Sequence, residues 1–414
     1  MDKSLQPKIF EALKGYNAKT FMSDLVAGII VAIIALPLSI ALAIASGVGP
    51  NEGLYTAIVA GFIVSLLGGT RIQISGPTAA FSTIVAGTVI NHGIETLVVS
   101  TIVAGIILIV AGFLKLGKYI TKIPNTIVIG FTAGVALTIF VGQLKDFCGV
   151  TYLDGARPIS NIDKLIEFFK CIQTINPLAL LIGFIMLAII IVFPKVIKKI
   201  PESLIAILVA TFIVIILKLN VTKINDLYVI SNKPMTFRMP DFILLTNPAV
   251  YTTGITIAAL TAIESLLACM VSDKMIGDKH HSNAELIAQG VGSIASVLFG
   301  GIPATGALAR TTANAKNGGK TPVSGMIHAV VLFFILIGLM KYVGLIPMPT
   351  VAALLFIVAY NMSQIKTIKE YIKIGNKKDL IILFTCFILT FIFNLVIGIA
   401  ISLILHLIIY KLLK

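Results

Sequence analysis

Charged residues are scarce in this sequence, and no polar stretch is long enough to form a separate soluble domain. Only 12% of the 414 residues are charged, whereas 57% are hydrophobic. Soluble globular domains carry about 25% charged residues, so the composition excludes that class. The apolar runs are continuous rather than roughly ten-residue segments of alternating hydrophobicity, which excludes an outer-membrane barrel. The sequence therefore predicts an all-α integral membrane protein.

Cysteines and acidic residues are also few. The four cysteines include no C-x-x-C pair or other metal-ligand spacing, so we expect no metal centre and no cofactor. Cys148 and Cys171 fall in one predicted external loop, where a disulfide or two free thiols would both fit. The 18 acidic residues are outnumbered by 32 basic ones, but no basic stripe is interleaved with aromatic residues. The charge therefore does not indicate nucleic acid binding.

Apolar runs of spanning length divide the chain into two halves. At about 20 residues a span, they predict about 14 transmembrane segments, seven over 24–218 and seven over 252–414. An N-terminal segment, 1–23, precedes the first half, and an extracellular connection, 219–251, joins the two. Lysine and arginine concentrate in cytoplasmic segments of membrane proteins, and the chain follows this rule with its N-terminus inside. We therefore expect cytoplasmic termini and a location in the plasma (inner) membrane.

Two internal segments interrupt the apolar pattern with glycine and proline. The first reads R-I-Q-I-S-G-P-T-A-A-F over 71–81, and the second reads F-G-G-I-P-A-T-G-A-L-A-R over 299–310. Glycine allows a tight turn, and proline suits the first position of a helix. Each segment therefore predicts a half-helix that begins inside the membrane, at spans 3 and 10, with the N–H groups of its first turn unsatisfied.

The positions of these two breaks indicate an internal repeat. Thr305 follows Thr78 by 227 positions, and Glu264 follows Pro37 by the same interval. Because each half has an odd number of spans, the second half enters the membrane in the opposite orientation to the first. The sequence therefore predicts a seven-plus-seven inverted repeat in which the N-termini of the two half-helices face each other.

Two facing helix N-termini form an anion site. Each end carries about half a positive elementary charge and free N–H donors. Arg310 adds a full positive charge. Its burial in a membrane costs at least about 3 kcal/mol unless a negative group pairs with it. Kinks between packed helices are the structural alternative. The candidate anion-binding residues are Gln73, Thr78, Ala79, Phe81, Thr305, Gly306, Ala307 and Arg310.

Glu264 is the acidic residue predicted deep in the bilayer. An unpaired carboxylate there is driven to take up a proton, so Glu264 is the candidate coupling-ion residue. A protonated carboxyl bonded to a neighbouring helix and an ion pair with Arg310 are the structural alternatives. Sodium would need several oxygen ligands near Glu264, and the nearby sequence offers few. Proton coupling therefore ranks above sodium coupling.

Several motifs resemble the SulP inorganic-anion transporters, also called the solute carrier 26 family. They are L-P-L at 36–38, G-V-G-P at 47–50, G-L-Y at 53–55, Q-I-S-G-P-T at 73–78, Asn283, E-L-I-A-Q-G at 285–290, G-G-I-P-A-T-G-A at 300–307, Arg310 and G-G-K-T-P at 318–322. The resemblance implies a core domain that carries the anion between spans 3 and 10, a gate domain, and a homodimer. Family members usually continue into a cytoplasmic STAS domain, and we expect none here because the sequence stops at Lys414.

These features predict a secondary active transporter of a small inorganic or organic anion that works by alternating access in the lipid bilayer. Sulfate, bicarbonate, chloride and small dicarboxylates all fit, with proton symport or anion exchange. A sodium-coupled bicarbonate symporter is one alternative, and a passive anion channel lined by the same dipoles is another. We do not expect an enzyme, because the intramembrane histidines near hydroxyl or thiol groups, His328 and His406, lie in ordinary spans.

Overall fold

The computed structural model of the protein describes residues 3–120, 124–153, 158–196, 201–393 and 395–412. The first half contains α1 Ile9–Ala12, α2 Ala18–Ala45, α3 Pro50–Leu67, β1 Ser75–Gly76, α4 Ser82–His92, α5 Ile94–Phe113, α6 Gly117–Ile120, α7 Asn125–Cys148, α8 Asn161–Lys170, α9 Pro177–Val196 and α10 Glu202–Ile216. The remainder contains α11 Ile224–Leu227, α12 Pro248–Ile276, α13 Ser282–Leu298, β2 Thr305–Gly306, α14 Leu308–Lys316, α15 Val323–Val343, α16 Met348–Met362, α17 Ile365–Ile374, α18 Lys377–Ile392 and α19 Leu395–Leu407. Shorter turns of 3₁₀-helix cover Lys3–Leu5, Ala79–Phe81, Ile172–Thr174 and Phe242–Thr246, and a π-helical turn covers Ile408–Leu412.

Eight helices in the described part of the chain are long and apolar enough to cross a membrane, and two shorter apolar helices accompany them. The prediction of a helical membrane protein is therefore confirmed, whereas the count of fourteen spans stays a prediction. The two half-helices are short, as expected. Helix α2 begins at Ala18 and α12 at Pro248, so the predicted segment boundaries at 23/24 and 251/252 fall inside helices.

The first long helix of each half begins at an asparagine cap. The side chain of Asn17 accepts a hydrogen bond from the Thr20 N–H at 3.0 Å, ahead of α2. The side chain of Asn247 accepts from the Ala249 N–H at 3.0 Å, and Pro248 occupies the first position of α12. Both residue types are favoured at these positions. The two halves therefore start with equivalent signals.

The described helices form two compact units. Unit 1 comprises Met1–Lys122, Lys199–Leu204 and Asn225–Leu345, and unit 2 comprises Ile123–Lys198, Ile205–Ile224 and Ile346–Lys414. Unit 1 therefore contains α2–α6 and α12–α15, whereas unit 2 contains α7–α9, most of α10, and α16–α19. Each unit draws on both halves of the sequence, which is the division into core and gate domains that the resemblance implies.

Glycines allow close helix packing inside unit 1. Helix α5 packs against α12 and α13, and α15 packs against α2 and α3. A Cβ atom on Gly105 would lie 2.7 Å from the Gly290 carbonyl oxygen, and one on Gly290 would lie 2.5 Å from the Gly105 carbonyl oxygen. Because neither residue has a side chain, the backbones of α5 and α13 can touch. This frame holds the two strands in place.

Unit 2 is built around α7, which packs against α16 and α18. Gly130 of α7 lies against α18, where an added Cβ would sit 2.4 Å from the Leu383 carbonyl oxygen. Cys148 and Cys171 both belong to a small apolar cluster in this unit. Both are free thiols, so of the two alternatives left open by the sequence, the structure has the one without a disulfide.

Candidate functional site

The two breaks meet in a two-stranded antiparallel ladder inside unit 1. Ser75 pairs with Gly306, and Gly76 pairs with Thr305. Each strand leads directly into a half-helix: β1 into the 3₁₀ turn that continues as α4, and β2 into α14. Because the paired strands precede both half-helices, the ladder brings the two N-termini together. Antiparallel pairing of the two segments is compatible with an inverted repeat.

The caps of the two first long helices give a second measure of the repeat interval. Asn17 and Asn247 are 230 positions apart, close to the 227 positions predicted from Thr78 and Thr305. In the ladder, Thr305 stands opposite Gly76. The interval of 227 stays a prediction.

The N-cap residues of the two half-helices leave the first turns without a side-chain cap. Thr78 is the N-cap of the turn Ala79–Phe81 and Ala307 is the N-cap of α14, and neither has a side-chain cap hydrogen bond among the described residues. The N–H of Ala307 itself donates to the Ile74 carbonyl at 2.9 Å, so the free donors of α14 begin after it. Both ends thus present unsatisfied N–H groups and the positive end of a helix dipole.

The side chain of Arg310 extends from α14, so its guanidinium lies against the first break. The residue is 1% exposed, and its Nη2 donates to Ser39 Oγ at 3.1 Å and to the Pro77 carbonyl at 3.2 Å. Its Nη1 has no acceptor among the described residues. A Cβ on Gly76 would lie 2.1 Å from this Nη1, so the absence of a side chain at Gly76 makes room for the guanidinium. A buried charged donor without a partner is costly, and an anion would satisfy it.

Gln73 presents a second free donor. It is 4% exposed, and its Oε1 accepts a hydrogen bond from the Cys269 thiol at 2.8 Å. Its Nε2 has no acceptor in the described chain, and a Cβ on Gly306 would lie 1.8 Å from it. Gln73 therefore lies against the second break, as Arg310 lies against the first. Nothing in the sequence marked Cys269 as its partner.

Glu264 and Thr78 join at the start of the first half-helix. The Thr78 hydroxyl donates to Glu264 Oε2 at 2.9 Å, and both side chains are half-buried. Within the described residues no ion pair links Glu264 to Arg310, so that predicted alternative does not occur. A carboxylate from the second half of the sequence thus stands beside the helix N-terminus of the first half.

The other predicted site residues support the backbone of the site. Thr305 is fully buried in β2 rather than at a helix start, and its hydroxyl donates to the Thr261 carbonyl at 3.3 Å. Phe81 is fully buried, and Ala79 is 4% exposed. Among these side chains the Thr305 hydroxyl is the polar group, and it is already bonded to the Thr261 carbonyl.

A buried polar chain behind β1 had not been predicted as part of the site. Glu285 Oε2 accepts from the Gly69 N–H at 2.9 Å, and its Oε1 accepts from Gln289 Nε2 at 2.8 Å. The same Nε2 lies 2.8 Å from Ser75 Oγ, so the chain ends on the ladder. An acid and an amide four residues apart in an apolar run share one helix face, which is a signal the sequence contained. Ser39, the partner of Arg310, gave no comparable signal.

Comparisons with known proteins identify the family of this chain. The sulfate permease family profile matches residues 21–386. A Bacillus subtilis protein named "Putative sulfate transporter YvdB" is 40% identical over 95% of this chain and 74% of its own length. The "Bicarbonate transporter BicA" of Picosynechococcus sp. is 31% identical over 93% of this chain and 69% of its own.

A solved structure shows the same fold. The transmembrane domain of a cyanobacterium bicarbonate transporter, BicA, has a TM-score of 0.81 at 29% identity, and the match covers 93% of this chain and 98% of that one. The murine Slc26a9 anion transporter in its inward-facing state has a TM-score of 0.88 at 18% identity, over 99% and 71% of the two chains. The chain therefore belongs to the sulfate permease family, whose similar members are sulfate and bicarbonate transporters.

Proposed function

We propose that this protein is a secondary active transporter of a small anion, which it moves by alternating access. One observation carries the proposal: the ladder of Ser75–Gly76 with Thr305–Gly306 brings two uncapped helix N-termini to a buried Arg310 whose Nη1 has no acceptor among the described residues. Gln73 Nε2 adds a neutral donor. A small anion at the two helix N-termini would satisfy the free Nη1 of the guanidinium.

Sulfate and bicarbonate are the first substrates to test. Each presents several oxygen acceptors, which suits a site built from N–H groups and a guanidinium. Relatives with 40% and 31% identity are named as sulfate and bicarbonate transporters. Chloride and small dicarboxylates are the further candidates.

Glu264 couples this transport to protons. An ionised carboxylate beside the helix N-terminus would repel an arriving anion, because two negative charges repel each other strongly in a medium of low dielectric constant. A proton on Glu264 removes that repulsion, so anion and proton enter together. Sodium bound by Glu264 and Thr78 is the alternative coupling ion, although a hard cation needs more oxygen ligands than this pair supplies. The proposal includes a homodimer with cytoplasmic termini.

Uptake into proteoliposomes tests the substrate and the coupling ion. Purified protein is supplied with labelled sulfate, bicarbonate, chloride or a small dicarboxylate, under an inward proton gradient, an inward sodium gradient or neither, at a clamped membrane potential. We expect saturable uptake of an oxyanion that the proton gradient increases. Uptake of a cation or an uncharged solute, with no transport of any anion, would contradict the proposal.

Counterflow separates a carrier from an anion channel. Vesicles preloaded with unlabelled anion should accumulate labelled anion transiently, because a carrier returns loaded faster than it returns empty. A channel lined by the same dipoles would show no such acceleration. Equal uptake by preloaded and empty vesicles would contradict alternating access.

A further inference from the structure

Two amphipathic helices of unit 2 differ in their charge. Helices α8 and α17 both leave large apolar side chains exposed, namely Ile162, Ile166 and Phe169 on α8 and Ile365, Ile372 and Ile374 on α17. In α8 two acidic residues balance two lysines, and Lys170 lies 3.5 Å from Glu167. In contrast, α17 carries one acidic residue, Glu370, and three lysines, Lys366, Lys369 and Lys373, and the next helix, α18, begins with Lys377 and Lys378.

The isoleucines and lysines of α17 form two adjacent stripes. Ile365, Ile368 and Ile372 lie on one helix face by their spacing, and each is followed directly by a lysine. One position is a rotation of about 100°, so the basic stripe runs beside the apolar one. Ile365 and Ile372 are 42% and 51% exposed. In the described part of the chain no carboxylate lies within ion-pair distance of the exposed lysines Lys366, Lys369 and Lys373.

Helix α17 is a separate element between two neighbouring helices. Gln364 before it and Gly375 after it both have left-handed backbone conformations, with φ of 48° and 73°. The next carboxylate along the chain, Asp379, accepts hydrogen bonds from the Tyr410 hydroxyl at 2.8 Å and from Asn376 at 2.7 Å. Asp379 belongs to α18, and within α17 itself three lysines outnumber the single acid Glu370, which leaves a net positive charge.

We propose that α17 lies in the membrane interface and that its lysine stripe binds the headgroups of anionic phospholipids. The topology predicted from the charge distribution puts this segment on the cytoplasmic side, where anionic lipids attract basic amphipathic helices. The exposed isoleucines enter the acyl region, while the lysine stems extend along it and keep their charge among the phosphates. Helix α8, with balanced charge, has no such preference.

An introduced tryptophan tests this surface, because the chain contains none of its own. Full-length protein with Ile372→Trp is placed in vesicles of phosphatidylcholine and phosphatidylglycerol, with brominated acyl chains on one lipid or the other at equal mole fraction. We expect brominated phosphatidylglycerol to quench the tryptophan about twofold more strongly, because anionic headgroups gather at the lysines. Adding Lys366→Gln, Lys369→Gln and Lys373→Gln should make the two lipids quench equally.

Helix α8 supplies the matched control. A tryptophan at the exposed position Ile166→Trp should be quenched equally by the two lipids, with or without Lys164→Gln and Lys170→Gln. Ile365→Trp is a second reporter on α17 if Ile372→Trp does not fold. Equal quenching by the two lipids with the lysines intact, no quenching by either, or a preference that survives removal of the lysines would each overturn the proposal.

Discussion

The two breaks share one backbone plan but carry different chemistry. Each consists of a two-residue strand followed by an uncapped half-helix, and the strands pair with each other. The two ionisable groups that contact the start of the first half-helix, Arg310 and Glu264, come from the second half of the sequence. Arg310 reaches the Pro77 carbonyl, and Glu264 accepts from Thr78, so both act at the first break.

This difference shows how a symmetric backbone can build an asymmetric site. The ladder and the helix dipoles repeat in both halves, and they supply donors that would suit an anion from either side. The guanidinium and the carboxylate do not repeat, so they are free to set anion affinity and ion coupling separately. Substitutions at matched positions of the two breaks can test this division of roles.

Removal of the charge at the second break should have the largest effect. Arg310→Ala should raise the anion concentration needed for half-maximal uptake roughly 10- to 100-fold, since hydrogen bonds from charged groups contribute about 1.5–3 kcal/mol. Arg71→Ala is the matched control, because Arg71 begins the first break but is 37% exposed and pairs with Asp278 at 2.9 Å. An equal rise in the half-saturating anion concentration in the two correctly folded variants would show that Arg310 does not bind the anion.

Neutralising the carboxylate should change coupling more than binding. Glu264→Gln keeps the shape of the side chain but cannot exchange a proton, so stimulation of uptake by a pH gradient should disappear while anion exchange continues. The imposed gradient can drive up to about tenfold accumulation per pH unit, and the comparison is made by initial uptake rates with and without it. Unchanged stimulation would remove Glu264 from the coupling mechanism.

Adding one methyl group at each strand should displace a different donor. Gly76→Ala would push the Arg310 guanidinium, and Gly306→Ala would push the Gln73 amide. Overpacking costs about 1–3 kcal/mol, so each should weaken uptake roughly fivefold or more, and Gly76→Ala should do so more because it displaces a charge. Gly338→Ala is the control, because among the described residues no atom outside the backbone of its own helix lies within 4 Å of an added Cβ there. A larger loss from Gly306→Ala would reverse the assigned order.

Substitution of Thr78 and Thr305 by valine should have smaller effects, and the two variants should differ from each other in transport. Thr78→Val removes the hydroxyl that donates to Glu264, and a hydrogen bond to a charged group contributes about 1.5–3 kcal/mol when intact. Thr305→Val removes a hydroxyl whose acceptor is a helix carbonyl, so we expect about 1 kcal/mol or less of lost stability and near-normal half-saturation. Thermal unfolding and uptake, measured on both variants, check this. A transport defect in Thr305→Val alone would contradict the assignment.

Much of the site could be predicted because its features are local. The breaks at Gly76 and Gly300 follow from backbone rules for glycine and proline, and Arg310 and Glu264 stand out because ionisable residues are rare in apolar runs. The partners could not be predicted in the same way. Ser39 and Cys269 lie in unbroken helices, and their polar contacts depend on which helix packs beside them.

The sequence by itself determined that this is a helical membrane protein with two interrupted spans and an arginine at each interruption, because length, hydropathy and turn chemistry act within short stretches of chain. Only the tertiary structure decided that Ser75 pairs with Gly306, that Thr78 binds Glu264, and that Arg310 lies against Gly76. Those facts depend on the pairing of strands about 230 residues apart, and residue type alone carries no information on that register.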